Sequence, residues 1–373
     1  MTKILICGDF CPIGEIESLS LNKEHEKIFG GFTKHTSDAD LSIVNLECPL
    51  TDNNTPDIKF GPVLKASTKT IESLKHANFD LVTLANNHIM DHGPEGLNTT
   101  LDVCKKNGIQ YVGAGSNLTE ARIFHVSEIQ GKKIAILNFA ENEFSNTHGN
   151  SPGANPLYFP NNLKDIQKAK KENDFVLIII HGGNENYQLP SPRLKETFRF
   201  MIDAGADAVV GHHIHCFSGY EWYNEKPIIF SVGNFIFDYN QRENKLWSTS
   251  YSIMLSVEED KIDFEIIPFF QNYGEAGIKM MNKNEEKEVL EKVEELNQII
   301  QDDQKLESKF QEFIAVKEKM YRHFMEPYTN KYLHGLYGRK IIPSMLNSKK
   351  KLLYLNLFRC ESHRDIMFKL LDK

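Results

Sequence analysis

The chain has 373 residues, 40% of them hydrophobic and 25% charged, which is enough for one large buried core plus an appendage. A formal net charge of -8 and a pI near 6.0 exclude a general attraction for nucleic acid or an anionic membrane surface, so an anionic substrate needs focused help such as bound metal ions. Six cysteines, Cys7, Cys11, Cys48, Cys104, Cys216 and Cys360, lie without CxxC spacing, which suits neither a disulfide scaffold nor a zinc ribbon and leaves reduced thiols as the expectation.

The N-terminal run MTKILICGDF has one early lysine and a short apolar stretch before Gly8 and Asp9, the pattern of a first strand and not of a signal peptide. Similar short runs recur: DLSIVNLE, FDLVTLANNH, KKIAILNFA, FVLIIIHGG, DAVVGHH, KPIIFSVGNFIFD and YSIMLSVEE. Helix-length segments separate them, so the pattern predicts an α/β protein with doubly buried strands. Helices are expected at 68–78, at 93–108 with a C-terminal Asn-Gly, and at 191–206 with Pro192 near the start and Gly205 at the end. No run approaches the roughly 18 apolar residues of a membrane span, and the chain is expected in the cytoplasm. Beyond about residue 275, Val289, Val293, Leu296, Ile300, Leu306, Phe310, Phe313 and Met320 recur at helical spacing among charges. This places a domain at 1–272 and a mainly helical appendage at 273–373, whose apolar stripe is expected to pack on the main domain or on a second copy in a homo-oligomer.

The chemistry collects at the ends of the predicted strands, the edge where α/β sheets assemble ligand sites. Asp9, Glu47, Asn87 with His88, His181, and His213 with His215 all fall there. On an extended segment His213 and His215 project to one face, His212 to the other. His181 closes a very apolar strand where an unpartnered imidazole is costly, and Gly182 and Gly183 after it permit close approach of a ligand. Carboxylate, amide oxygen and imidazole together suit manganese, iron or zinc better than calcium, and without a cation two acids would be crowded together. His88 is the candidate general acid, with Asp91 three residues on to hold one tautomer. Lys65, Arg122 and Arg193 are the candidate basic contacts for a substrate.

The runs GDFCP, ADLSIVNLECPLT, FDLVTLANNHIMDHGPEGLNTTLD, GIQYVGAGSNLTEAR, HGGNEN, DAGADAVVGHHIH and KPIIFSVGNFIFD resemble, in order, those of the CapA family of capsule and poly-γ-glutamate biosynthesis proteins, in the calcineurin-like metallophosphatase superfamily. The likeness covers about residues 3–240 and continues more weakly to 270. It implies a β-sandwich core flanked by helices with two divalent metal ions at the strand ends. Asp9, Asn87, His181, His213 and His215 match ligands, Glu47 stands where many relatives have a bridging aspartate, and His88 matches the catalytic histidine. Glu185 and Asn234 match positions near the substrate or in the architecture around it, and not ligands. Cys11 stands where a histidine ligand is usual and HGG where the family has HWG; the N-terminal membrane anchor of many relatives is not expected in this chain, and its helices after 275 match no counterpart in the family. The resemblance implies a phosphomonoesterase or phosphodiesterase of capsule or related polymer synthesis, acting on a small phosphorylated or polymer-derived substrate. Hydrolysis or transfer at an amide of poly-γ-glutamate, and a non-catalytic assembly factor, are the alternatives.

Overall fold

A computed structural model describes residues 1–359 apart from 60, 240, 259, 260 and 329, together with 363 and 371. By internal contact the chain divides into Met1–Glu307 and Ser308–Lys373. The first unit holds two large sheets. One runs in the order Ile278–Met280, Ile262–Gln271, Thr249–Val257, Thr2–Cys11, Leu41–Leu46, Leu81–Thr83 and Gln110–Val112, with Asn234–Phe237 also paired to Thr2–Cys11. The other runs Tyr220–Tyr223, Lys226–Ile229, Ala208–His212, Phe175–His181, Lys132–Ala140 and His125–Ile129.

Strand periodicity explains how the sheets stack. Ile4, Ile6, Ile43, Leu81, Ile253 and Leu255 lie in one core cluster with the second sheet's Ile136, Ile178 and Val209, whereas the alternating Leu5, Cys7, Val44, Val82 and Met254 lie in a second cluster on the opposite face. The layers are therefore helix, sheet, sheet, helix, and strands buried on both faces read as continuous apolar runs. Phe175–Ile180 are 0–3% exposed. Each such side chain contributes roughly 1.5–3 kcal/mol by leaving water.

The helices expected at 93–108 and 191–206 are Gly93–Asn107, capped by left-handed Gly108, and Pro192–Ala204, whose Ser191 hydroxyl accepts from Leu194 N. The segment 68–78 splits into a 3₁₀ turn, Thr68–Thr70, and a short helix, Ile71–His76. Strands absent from the sequence reading include two in which all or half of the length carries no continuous apolar run. His125–Ile129 and the first half of Ile262–Gln271 alternate between half-buried and exposed, as sheet margins do.

The first unit runs on past residue 272. Helix Lys283–Ile300, started by a capping box between Asn282 and Glu285, buries Val289, Val293, Leu296 and Ile300 in the inter-sheet cluster. Asn297 Oδ1 accepts from Tyr220 N at 2.7 Å, and the buried Lys195 ammonium donates to the Ile300 carbonyl and, at 2.7 Å, to Asp303. A helix expected in the appendage thus belongs to the main core, because its apolar stripe finds its partner there. In the second unit, Glu326 accepts from Met345 N at 2.9 Å and Tyr328 donates to the Pro343 carbonyl at 2.6 Å. No described helix is long and apolar enough to cross a membrane. Cys7, Cys11, Cys48, Cys104 and Cys216 are buried free thiols, and Cys360 lies outside the described residues.

Candidate metal centre

Both sheets deliver polar side chains to one place. Asp9 stands near the end of Thr2–Cys11, Glu47 just after Leu41–Leu46, and Asn87 in the loop after Leu81–Thr83; His181 ends its strand, and His213 and His215 follow Ala208–His212. The register of the first strand slips between Cys7 and Asp9 and again between Asp9 and Phe10, an irregularity that re-aims the Asp9 carboxylate. Gly8 is required beside it, since a Cβ there would lie 1.8 Å from the Gly233 carbonyl oxygen.

The two histidines of the HxH motif do not converge from an extended segment. The strand ends at His212, and His213 and His215 have φ of 94° and 57°, a conformation that side chains with a Cβ rarely adopt. Such a backbone costs about 1–3 kcal/mol per residue and persists where the surroundings hold it. Here His213 N donates to Asp9 Oδ2 at 3.1 Å, and His215 Nδ1 lies 2.9 Å from Asn234 Oδ1.

The ligand atoms fall into two groups, Glu47 with His181 and His213, and Asp9 with Glu47 and His215; within each, the atoms lie within 4.8 Å of one another. Glu47 is common to both. It is wholly buried, and neither carboxylate oxygen has a hydrogen-bond partner. His181 Nε2 lies 3.1 Å from Asn87 Oδ1, 3.1 Å from His213 Nδ1 and 3.6 Å from Glu47 Oε1, while Asn45 Nδ2 stands 3.3 Å from its Nδ1 and donates to Asp9 at 2.7 Å. One imidazole proton cannot satisfy three lone-pair-bearing neighbours. A cation can, so the donor set fits a metal on an observation of geometry as well as residue type.

Burial first, then the charge of Asp9, pushes the Glu47 carboxyl well above its usual range. Burial first, then the neighbouring imidazoles, holds His181 well below its usual value, and burial lowers His212 and His215. A neutral imidazole is the form that offers a lone pair to a metal. His212, fully buried with no partner for either ring nitrogen, has Nδ1 4.0 Å from Asp9 Oδ1 but falls in neither ligand group.

His88 sits beside the centre, its Nδ1 2.6 Å from Asp91 Oδ2, and Asp91 also accepts from Leu64 N at 2.7 Å. Sequence reading missed the third member. Lys59, its side chain only 4% exposed, donates to Asp91 and to the Asn87 carbonyl at 3.3 Å and stands 3.2 Å from His88 Nδ1. It comes from a polar stretch, DNNTPDIK, that carries no sequence signal of its own. Lys65, expected at the substrate, instead donates to the Asn53 carbonyl at 2.6 Å on the outer side of that loop. Arg122 is held by Asp165 through two bonds of 2.9 and 2.8 Å. Asn234, also expected at the substrate, is fully buried and orients His215. Gly182 and Gly183 both line the cavity over the centre, and neither position has room for a side chain: a Cβ would meet Glu141 at 2.5 Å and Ile214 at 2.7 Å respectively. Cys11 is in neither ligand group; burial first, then the Cys48 thiol, raises its pKa.

Two cavities open over the centre. One, of about 350 Å³, is reached by Asn87, His181, His213, Glu141 and Arg193, with Arg193 paired to Glu141. The other, of about 400 Å³, is reached by Asn87, His88, His215, Lys59 and Glu185.

Two packed sheets flanked by helices, with a buried cluster of carboxylates, amide and imidazoles at their strand ends, define a layered α/β protein with a candidate metal centre. The profile of the family described as "Bacterial capsule synthesis protein PGA_cap" matches residues 3–239, and the chain belongs to that family. It is 35% identical over 181 residues to the capsule biosynthesis protein CapA of Bacillus anthracis, covering 47% of this chain and 44% of the relative. To the PGA biosynthesis protein CapA of Bacillus subtilis (strain 168) it is 32% identical over 235 residues, covering 62% of each. The matches thus span less than two thirds of these relatives. A hypothetical protein from Thermus thermophilus superposes with a TM-score of 0.46 at 14% identity, over 72% of this chain and 99% of that one.

Proposed function

We propose that the chain is a metal-dependent hydrolase of phosphoesters. The observation that carries this reading is Glu47, a buried carboxylate with both oxygens unpartnered and common to two ligand groups. Asp9, Glu47 and His215 would hold one divalent ion, and Glu47, His181 and His213, with Asn87 beside them, a second; manganese, iron and zinc suit these donors. Such ions supply positive charge to the phosphoryl oxygens and lower the pKa of an attacking water.

The chain's own residues account for the rest. The Asp91 carboxylate accepts a hydrogen bond from Nδ1–H of His88 and so supports the imidazolium form, in which Nε2 carries the second proton and gives it to the departing alkoxide. Lys59 fixes Asp91 from the other side and is a positioning residue. Asn234 turns His215, and Asn45 turns Asp9 and His181. The names of the relatives, capsule and PGA biosynthesis proteins, support placing this hydrolysis in the synthesis of a surface polymer. Elemental analysis of purified protein beside Asp9→Ala and His213→Ala tests the reading. About two equivalents of metal, reduced in both variants, together with turnover of p-nitrophenyl phosphate, is the expected result. No stoichiometric metal after reconstitution sinks it and leaves a non-catalytic assembly factor in front.

A further inference from the structure

The larger of the two cavities differs in chemistry from the ligand cluster it adjoins. Phe144, Tyr239 and Trp247 give it aromatic surface, and Glu143 and Glu185 give it hydrogen-bonding oxygens. Phe144 and Tyr239 are 42% and 41% exposed, so their rings do not serve the core. Both are nonetheless held in place. The Lys59 ammonium lies 5.1 Å from the Phe144 centroid; Tyr239 meets Phe237 edge-on at 6.0 Å, and Phe237 packs on Trp247 at 5.4 Å. Half-wet aromatic faces anchored at the mouth of a cavity are surfaces for a ligand ring to lie on.

The polar wall selects among rings. Glu143 and Glu185 are carboxylates, and Lys59, the one lysine or arginine among the cavity's described lining residues, is already taken up by Asp91 and the Asn87 carbonyl. A moiety bearing carboxylates meets like charge there with no free lysine or arginine to offset it. A nucleobase offers mainly acceptors and at most one amino group, a poor match for two carboxylates. A sugar ring offers several hydroxyl donors and an apolar C–H face for stacking. His88 lines the same cavity, so this is the side on which a leaving group departs.

We infer that the cavity framed by Phe144, Tyr239, Glu143 and Glu185 beside His88 is a carbohydrate subsite that takes the neutral, polyhydroxylated ring of a sugar phosphate as leaving group. The inference rests on the phosphoesterase reading. In the reaction, water attacks phosphorus, the bond from phosphorus to the sugar oxygen breaks, and the His88 proton goes to that oxygen, giving free sugar and phosphate.

The test uses the full chain loaded with manganese. Phosphate release is measured from a hexose 1-phosphate, a nucleoside 5′-monophosphate, a phosphorylated carboxylic acid and p-nitrophenyl phosphate, and binding of the first three is measured by calorimetry. The hexose phosphate is expected to exceed the nucleotide and the carboxylic acid in kcat/KM by at least about tenfold. Tyr239→Ala and Phe144→Ala, at exposed positions where folding is little affected, are expected to raise its KM about five- to tenfold with a much smaller change in kcat. Turnover of p-nitrophenyl phosphate without a hexose preference, or with a preference for the nucleotide or the carboxylic acid, overturns the subsite and leaves the phosphoesterase standing. Hexose phosphate binding that weakens in both variants, with no phosphoester turned over, keeps the subsite and sinks the phosphoesterase.

Discussion

The two units of the chain bury their apolar residues to very different degrees. In Met1–Glu307 whole strands leave water, and the polar cluster at their ends is as buried as they are: Asp9 and Glu47 are 0% and His181 2% exposed. Among the described residues of Ser308–Lys373 only Leu346 and Glu326 are buried, while Val316, Tyr332 and Leu352 are 78%, 71% and 67% exposed. The contrast teaches what each can do. Holding carboxylates and imidazoles a few ångströms apart takes a rigid framework on every side, which the sheets provide. Amphipathic helices with exposed apolar faces provide surface, and the proposal for them remains association, with a second copy of this chain as the first candidate.

The largest test of that contrast is Glu47→Gln. The amide keeps the shape and removes the one group common to both ligand sets, so metal content should fall from about two equivalents to below one, and turnover with it. The metal-free variant should nevertheless unfold later than the metal-free parent, because a buried carboxylate beside Asp9 is destabilising until a cation arrives. Next in size is His88→Asn, expected to lower kcat by about 10²–10⁴-fold with metal content unchanged; equal loss of both would remove His88 from the role of acid. Lys59→Met should lower kcat by about tenfold or more, as loss of an outer hydrogen-bond partner does, with Lys59→Arg restoring part of it.

A smaller effect separates metal-free from metal-loaded protein by pH. A carboxyl whose pKa is raised on folding contributes stability that is present below its unfolded value, 4.5 for Glu47, and lost as pH rises through the raised one. A histidine whose pKa is depressed contributes in the opposite sense, and its contribution is complete above its unfolded value of 6.5. The metal-free protein should therefore lose stability, by up to about 1.4 kcal/mol per pH unit from this carboxyl, as pH rises through the range in which Glu47 ionises in the unfolded chain before the folded one, read from denaturant midpoints. The metal-loaded protein, in which Glu47 is ionised and paired, should not. Least of all, a chain ending at Glu307 should keep its metal content; if the metal were lost, the separation of roles between the two units would fail.

Strand runs such as FVLIIIHGG and the acids and histidines that end them were legible, because a strand buried on both faces has to be apolar throughout and a polar side chain at its end stands out locally. Edge strands such as His125–Ile129 were not, since half-wet strands share their composition with loops. Lys59 shows why the site was only partly readable: its partner Asp91 is 32 residues away and only the fold brings them together. The same holds for Asn234, whose role follows from His215, and for Lys283–Ile300, whose apolar stripe announces a partner without saying which. The sequence by itself determined the α/β class, the types of the candidate metal-binding side chains and the helical character of the C-terminal region, because those are written in local period and composition. Tertiary structure alone decided that Glu47 serves both ligand groups, that His213 and His215 converge through left-handed backbone, and that an aromatic and acidic cavity adjoins His88, because each is a relation between segments that meet only when the two sheets close on one another.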